Sequence, residues 1–192
     1  PSPTEVAKHE VDHYPYRNWC RYCVASCGRR DAHPSIANHE NPDEIPVIAC
    51  DYCFFNDDEW NPESLSQGQV RIEDSDNAKN KFAPVLVTKD KRSKTLWGDV
   101  VHQKGLCNHA VKQLVSHIIY LGYPEVKLRS DGEPAITALL TKVASELKGH
   151  KIRVVPDQTP KGDSNAGGLH ESAVKQLKDK VRCLWMQATE LH

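Results

Sequence analysis

The stretch IPVIACDYCFF, residues 45–55, is a mostly apolar run that predicts a strand and places one carboxylate, Asp51, inside it. Burying an ionised carboxylate without a partner costs several kcal/mol. Asp51 therefore needs compensation in the folded chain. Two interpretations stay open at this point: an ordinary buried Asp that is paired with Arg or accepts from backbone donors, or a ligand of a metal ion.

Four further strands are predicted, over 83–88, 95–101, 126–128 and 152–155. Apolar positions at helical spacing predict a helix that ends at Gly122 and a second helix over 136–147, and a last helix runs from about Leu169 to the end of the chain. The first of these helices has its predicted apolar stripe at Val111, Leu114, Val115, Ile118 and Ile119. The predicted order is three strands, a helix, a strand, a helix, a strand and a helix. This order predicts an α/β fold, with a ribonuclease H-like mixed five-stranded sheet flanked by helices.

Composition excludes several classes of protein. A hydrophobic content of 39% and a charged content of 27% are those of a globular chain, and no apolar run is long enough to span a membrane. We expect a soluble, intracellular protein without a membrane partner. The net charge of −1 means that any contact with nucleic acid must come from local basic patches. The predicted domains are a Cys/His-rich segment over 1–34, a linker over 35–45 and a core over 46–192, with an acidic loop or insertion over 56–80.

Two other acids stand where chemistry is often located. Asp131 follows the fourth predicted strand, and the carboxyl ends of strands carry the sites of α/β sheets. The alternative for Asp131 is a helix N-cap, which its local sequence favours, with Pro134 at an early helical position. Glu171 opens the last predicted helix, beside His170, which we interpret as a helix-terminus residue.

Charged and apolar residues form separate stripes on that last helix. The charged stripe is Glu171, Lys175, Lys178 and Arg182. It is either a solvated face held by pairing between positions i and i+4, or a metal-binding acid followed by cations that meet DNA phosphates. The apolar stripe predicted to pack in the core is Val174, Leu177, Val181, Leu184 and Ala188.

The N-terminal segment has the ligand types of a structural Zn²⁺ site. His9 and His13 are spaced to share one helix face, and Cys20-x-x-Cys23 is a compact chelating turn, which gives four N/S ligands. Alternatives are exposed histidines beside unrelated thiols, or replacement of one ligand by Cys27 or His33. The second Cys-x-x-C lies in a strand, where its two thiols point to opposite faces, so we interpret these cysteines, and two others, as ordinary buried thiols: Cys50, Cys53, Cys107 and Cys183.

Taken together, Asp51, Asp131 and Glu171 resemble the D,D,E acidic triad of retroelement integrases, both copia-like and retroviral. The resemblance covers most of the chain, including segment 164–171, which is similar to the flexible active-site loop of the family. The Cys/His segment resembles the HHCC zinc-binding segment that precedes integrase cores. Only six residues separate its His pair from its Cys pair, so we expect a zinc-stapled knuckle rather than a three-helix bundle. The sequence after Asp131, Gly132-Glu133, differs from the Asp-Asn-Gly of many members.

The resemblance implies a function and its cofactors. The triad would hold two Mg²⁺ (or Mn²⁺) ions and act as a DNA nucleotidyltransferase and endonuclease that trims the ends of retrotransposon DNA and joins them to target DNA. Lys175, Lys178 and Arg182 would contact DNA, and a structural Zn²⁺ would bind His9, His13, Cys20 and Cys23. The family further implies a homo-oligomer that acts in the nucleus as part of an integration complex.

Two other functions remain open from the sequence. One is a catalytically decayed or co-opted integrase copy that binds nucleic acid without turnover, which the near-neutral charge and the altered Asp131 motif favour. The other is a related ribonuclease H-like nuclease or transposase, which would share the acids without requiring the Cys/His segment. The complete acidic triad favours the enzyme.

Overall fold

The computed structural model describes residues 1–27, 44–55, 83–158 and 164–190, with the side chains of Cys27, 158 and 164–167 excepted. Most of the predicted linker over 35–45, the predicted acidic loop over 56–80 and the alternative ligand His33 lie outside the described residues. Among these residues, the chain divides into two compact units. The first contains 1–27 and 178–190, and the second contains 44–55, 83–158 and 164–177.

The first unit is helical. Helix α1 spans Pro3–Asp12, and helix α2 spans Arg21–Cys27. Ser2 caps α1 through a reciprocal pair of hydrogen bonds with Glu5, whose carboxylate also lies favourably at the helix N-terminus. His13 ends α1 in the left-handed conformation, with φ of 53°. This conformation turns the chain after His13, before α2 begins at Arg21.

The second unit is built on a mixed five-stranded sheet. Its strands are β1 (Val47–Cys53), β2 (Val85–Asp90), β3 (Leu96–Val100), β4 (Glu125–Ser130) and β5 (Arg153–Gln158). Their order across the sheet is β3-β2-β1-β4-β5, with β1, β2 and β3 antiparallel and β4 and β5 parallel to β1. The helices are α3 (Asn108–Leu121), α4 (Pro134–Gly149) and α5 (Ser164–Glu190), whose residues beyond Leu177 belong to the first unit. The predicted ribonuclease H-like order is confirmed.

The two faces of the sheet are covered by different helices. Ile48, Cys50 and Tyr52 of β1 pack with the buried residues of α3 and α4. Cys53, with residues of β2, packs against Ala173 of α5. Because β1 is covered on both faces, its sequence is apolar almost throughout and does not alternate. The prediction that Cys50 and Cys53 point to opposite faces is confirmed, and Asp51 shares the α5 face with Cys53.

Three sequence expectations are corrected by the fold. Ile119 was placed in the apolar stripe of α3 but is 42% exposed. Helix α5 begins at Ser164 rather than near Leu169, so segment 164–171 is helical here and not a loop. Leu184 and Ala188 were expected in the core but are exposed, because the buried residues of this part of the helix are Cys183 and, in part, Met186.

Within the described residues, no helix is both long enough and apolar enough to cross a membrane.

Candidate metal centres

The first unit brings together the four predicted zinc ligands. His9 lies in the last turn of α1, His13 directly follows that helix, Cys20 precedes α2, and Cys23 lies in its first turn. All four side chains are buried, and their ligand atoms lie within 4.8 Å of one another. Because the chain turns at His13, residues up to fourteen positions apart in sequence, such as His9 and Cys23, lie next to each other.

The distances fit a tetrahedral ion. His9 Nε2 lies 3.3 Å from Cys23 Sγ, and His13 Nδ1 lies 3.4 Å from Cys20 Sγ. A tetrahedral Zn²⁺ with bonds of about 2.0–2.1 Å to nitrogen and about 2.3 Å to sulfur leaves neighbouring ligand atoms roughly 3.3–3.8 Å apart. A ligand set of two imidazoles and two thiols is one of the common sets for structural zinc, so these residues fit the ion that the sequence predicted.

The charge states of the ligands also favour a cation. Burial lowers the pKa of His9, which keeps its imidazole in the neutral form that binds metals. Burial raises the pKa of the Cys23 thiol, so a buried thiolate at this position needs a nearby positive charge. A bound Zn²⁺ would supply that charge.

The second unit aligns two of the three predicted catalytic acids. The parallel strands β1 and β4 pair Val47 with Lys127 and Ala49 with Arg129. Continuing that pairing by two residues brings Asp51 level with Asp131, which directly follows β4. Neighbouring strands are about 4.8 Å apart, so the two carboxylates start from adjacent positions at one edge of the sheet.

The surroundings of Asp51 destabilise the ionised form of its carboxyl group. Its carboxylate is half-buried and accepts a hydrogen bond of 2.7 Å from the backbone N–H of Tyr52. Burial is the main reason why the pKa of Asp51 is raised from 3.8 to about 6, and the charge of Asp131 adds to the increase. Lys104 and His170 act in the opposite direction. Among the described residues no Arg pairs with Asp51, and the Tyr52 N–H matches the other form of the ordinary interpretation, a buried Asp that accepts from a backbone donor.

His170 is the residue that the sequence placed wrongly. Because α5 starts at Ser164, His170 lies in its second turn rather than at its terminus, and its side chain is only 5% exposed. Its Nδ1 atom is buried and has no hydrogen-bond partner among the described residues, while its charge, when protonated, would stabilise the carboxylate of Asp51. The sequence contains one signal for a helix that begins earlier. It is Ser164, a residue type that is favoured at helix N-termini.

The remaining two acids are more open to solvent. Asp131 is exposed and accepts a 2.9 Å hydrogen bond from the backbone N–H of Glu133, the residue directly before α4. Glu171 is exposed on α5. Among the described residues, the group of metal-binding side chains close enough to share an ion is the His/Cys set, and the three acids do not form such a group. Like charges repel, so three carboxylates without a cation are not expected to converge.

A lysine that the sequence did not indicate lies beside these acids. Lys104 Nζ is 3.2 Å from both carboxylate oxygens of Glu133 and also faces the rings of Tyr52 and Phe54. The loop that carries it is held in turn, because the N–H of Gly105 donates to the Tyr52 hydroxyl at 3.1 Å. Lys104 therefore adds a fixed positive charge next to Asp51.

The three predicted DNA-contacting residues differ in their surroundings. Lys175 is exposed, and Lys178 is half-buried. Arg182 is only 13% exposed and donates to the backbone carbonyl of Ser26 and to Asp179, both at 3.2 Å. Its guanidinium thus has protein partners already, unlike the solvated phosphate-binding cation that the stripe suggested.

Comparisons with known proteins add a distant structural likeness. No family model matches this sequence, and no curated protein matches it. Among solved structures, the chain is similar to the catalytic core domain of BIV integrase, with 18% identity and a TM-score of 0.39. The alignment covers 69% of this chain. It covers 66% of the BIV integrase chain, slightly less than two thirds of that chain's length. A likeness at this level fixes neither activity nor substrate.

Proposed function

We propose that the second unit performs integrase-type DNA processing and strand transfer, with Asp51, Asp131 and Glu171 holding two Mg²⁺ or Mn²⁺ ions. The observation that supports the proposal is the register of β1 and β4, which pairs Ala49 with Arg129; continued by two residues, it brings Asp51 level with Asp131, which directly follows β4. Glu171 lies on α5, the helix that covers the same face of the sheet as Asp51. Carboxylate oxygens are the ligands that Mg²⁺ and Mn²⁺ prefer.

The ionisation of Asp51 supports this assignment. A carboxyl whose pKa is raised to about 6 by burial and by a second acid is unfavourable in an apoprotein and is relieved by a divalent cation. When bound, such ions activate the attacking oxygen and stabilise the leaving oxygen of a phosphodiester. The residues of the chain would do the rest: Asp51 and Asp131 position the ions, and Lys104 offsets negative charge beside them.

The ligands and partners of the chain follow from the same proposal. DNA would be contacted by Lys175 and Lys178, while Arg182 is left to its protein partners. The first unit would hold a structural Zn²⁺ at the His/Cys set. As an integrase of a retrotransposon, the protein would act as a homo-oligomer in the nucleus.

A second function has one observation in its favour. Because Glu171 is exposed and the three acids do not converge in the described structure, a catalytically decayed or co-opted copy that only binds nucleic acid is the alternative. A ribonuclease H-like nuclease or transposase would use the same acids and would cut DNA without joining it.

One experiment separates these functions. Labelled duplex DNA is incubated with the protein and Mn²⁺, beside the variants Asp51→Asn and Glu171→Gln. Glu146→Gln is the control, because Glu146 is an exposed acid of α4 that forms an ion pair with Lys142 on the same helix. We expect nicking and joining by the unchanged chain and the control, with at least a hundredfold loss in both triad variants, in the range lost when one electrostatic contribution to a transition state is removed. Equal activity in the triad variants, or none in any protein, refutes the catalytic proposal.

A further inference from the structure

Three side chains near the C-terminal end of helix α5 lie beside the predicted zinc ligands. Lys180, Cys183 and Gln187 lie at positions i, i+3 and i+7 of α5 and therefore share one face of the helix. All three belong to the first unit, together with the ligands. Each makes contact with a ligand residue or with the backbone beside it.

Gln187 fixes the ring of His13. Its Nε2 donates to the backbone carbonyl of Glu10 at 3.1 Å, and a carbonyl can only accept. The amide oxygen of Gln187 therefore faces the other way, where it lies 2.9 Å from His13 Nε2. The imidazole must donate from Nε2, so in the neutral ring Nδ1 is the nitrogen with a free lone pair, and Nδ1 is the atom that faces Cys20. Metal-binding histidines usually donate from their other nitrogen to an oxygen in this way.

Cys183 adds a thiol beside the two that bind metal. It is 3% exposed and packs with Cys20 and Cys23 in one cluster. Its thiol lies within hydrogen-bonding reach of Cys23 in that cluster. As a thiol, Cys183 can donate its S–H to the sulfur of Cys23.

Lys180 completes the set at the end of α1. Its Nζ donates to the carbonyl oxygens of Asp12 and His13, at 2.8 and 2.7 Å. These carbonyls lie at the C-terminus of a helix, where a cation is favourable. The contact holds the left-handed turn that positions His13.

We propose that the end of helix α5 is a working part of the zinc site, in which Gln187 and Cys183 are positioning residues for His13 and Cys23. The zinc-binding unit of this chain is thus discontinuous: its ligands come from the first 23 residues, and their hydrogen-bond partners come from 180–187. Zinc affinity then depends on side chains that are more than 150 positions away from the ligands in sequence.

The test measures zinc affinity in the full chain by competition with a chromogenic chelator. Gln187→Leu removes the acceptor at similar volume, and Gln187→Glu keeps it. Cys183→Ala removes the S–H donor, and Cys183→Ser keeps a donor. Ala188→Ser, at an exposed position of the same helix, is the control. We expect Gln187→Leu and Cys183→Ala to lose about ten- to hundredfold in zinc affinity, the range for partners of metal ligands, with Gln187→Glu, Cys183→Ser and the control close to the unchanged chain.

Two further readouts separate positioning from packing. Thermal unfolding of the zinc-free proteins is compared with that of the zinc-loaded proteins, because a purely structural defect would lower both equally. Co²⁺ replaces Zn²⁺ for absorption spectra, in which loss of the Cys183 donor should shift the sulfur-to-metal charge-transfer band. Unchanged zinc affinity in both Gln187→Leu and Cys183→Ala overturns the proposal, and so does a loss in Gln187→Glu as large as that in Gln187→Leu.

Discussion

Replacing Asp51 by Asn should stabilise the protein at neutral pH when no divalent cation is added. The pKa of Asp51 is raised from 3.8 to about 6 in the folded chain, chiefly by burial. The folded state therefore binds the proton more tightly than the unfolded state, and stability falls as pH rises from below 4 to above 6. Asn carries no charge and keeps an oxygen for the N–H of Tyr52, so the variant avoids this loss.

The magnitude follows from the shift. One pKa unit corresponds to about 1.36 kcal/mol, so a shift from 3.8 to about 6 amounts to about 3 kcal/mol once both states are ionised. At about pH 5 the unfolded carboxyl is ionised and the folded one is mostly protonated, which leaves about 1.6 kcal/mol. The gain of Asp51→Asn should thus roughly double between about pH 5 and about pH 7.5.

The assay is urea denaturation followed by circular dichroism at both pH values. Glu146→Gln is the control, since the pKa of Glu146 is lowered by Lys142 and its neutralisation brings no gain. Added Mg²⁺ should stabilise the unchanged chain and not Asp51→Asn, because only the former has the carboxylate that we propose as a ligand. A variant no more stable than the unchanged chain at about pH 7.5, or one whose gain is equal at both pH values, would show that Asp51 carries no such penalty.

Two pairs of substitutions test the packing and the DNA contacts. Gly98→Ala would place its new Cβ 2.8 Å from Leu177 Cδ2, so Leu177 must move and unfolding in urea should show a loss of about 1–3 kcal/mol. Gly168→Ala, whose Cβ meets nothing within 4 Å, should instead gain about 0.5–1 kcal/mol, and equal effects of the two would contradict the packing described here. Lys175→Ala should lower the slope of log affinity against log salt for duplex DNA by about 0.9, whereas the exposed Lys148→Ala should leave it unchanged. A slope that falls equally in both variants would count against a specific contact by Lys175.

The helix α5 shows most clearly where sequence periodicity was informative and where it failed. Val174 and Leu177 pack in the second unit as the apolar stripe predicted. Leu184 does not continue that stripe and is 38% exposed, because beyond Leu177 the helix belongs to the first unit and buries Cys183 instead. A periodic pattern assumes a single partner surface along the helix, and this helix has two sets of neighbours.

His170 shows a similar limit. Its place beside Glu171 suggested a terminal residue, and the residues before it are rich in glycine and polar side chains. The structure continues the helix through them and turns His170 inward, toward Asp51. Local composition favoured a loop there, and a helix formed because its following turns bury Ala173 and Leu177 against the sheet.

The sequence by itself determined the order of the elements, the opposite directions of Cys50 and Cys53, and the four His and Cys residues that the structure brings together. Each of these follows from short-range rules: the period of a strand or helix, and the spacing of chelating residues. Only the tertiary structure decided the register of β1 and β4 before Asp51 and Asp131, and that Gln187 and Cys183 reach the His/Cys set near the other end of the chain. The strand with Asp51 was identified from its apolar residues, but register and long-range packing depend on the whole core and leave no trace in local spacing.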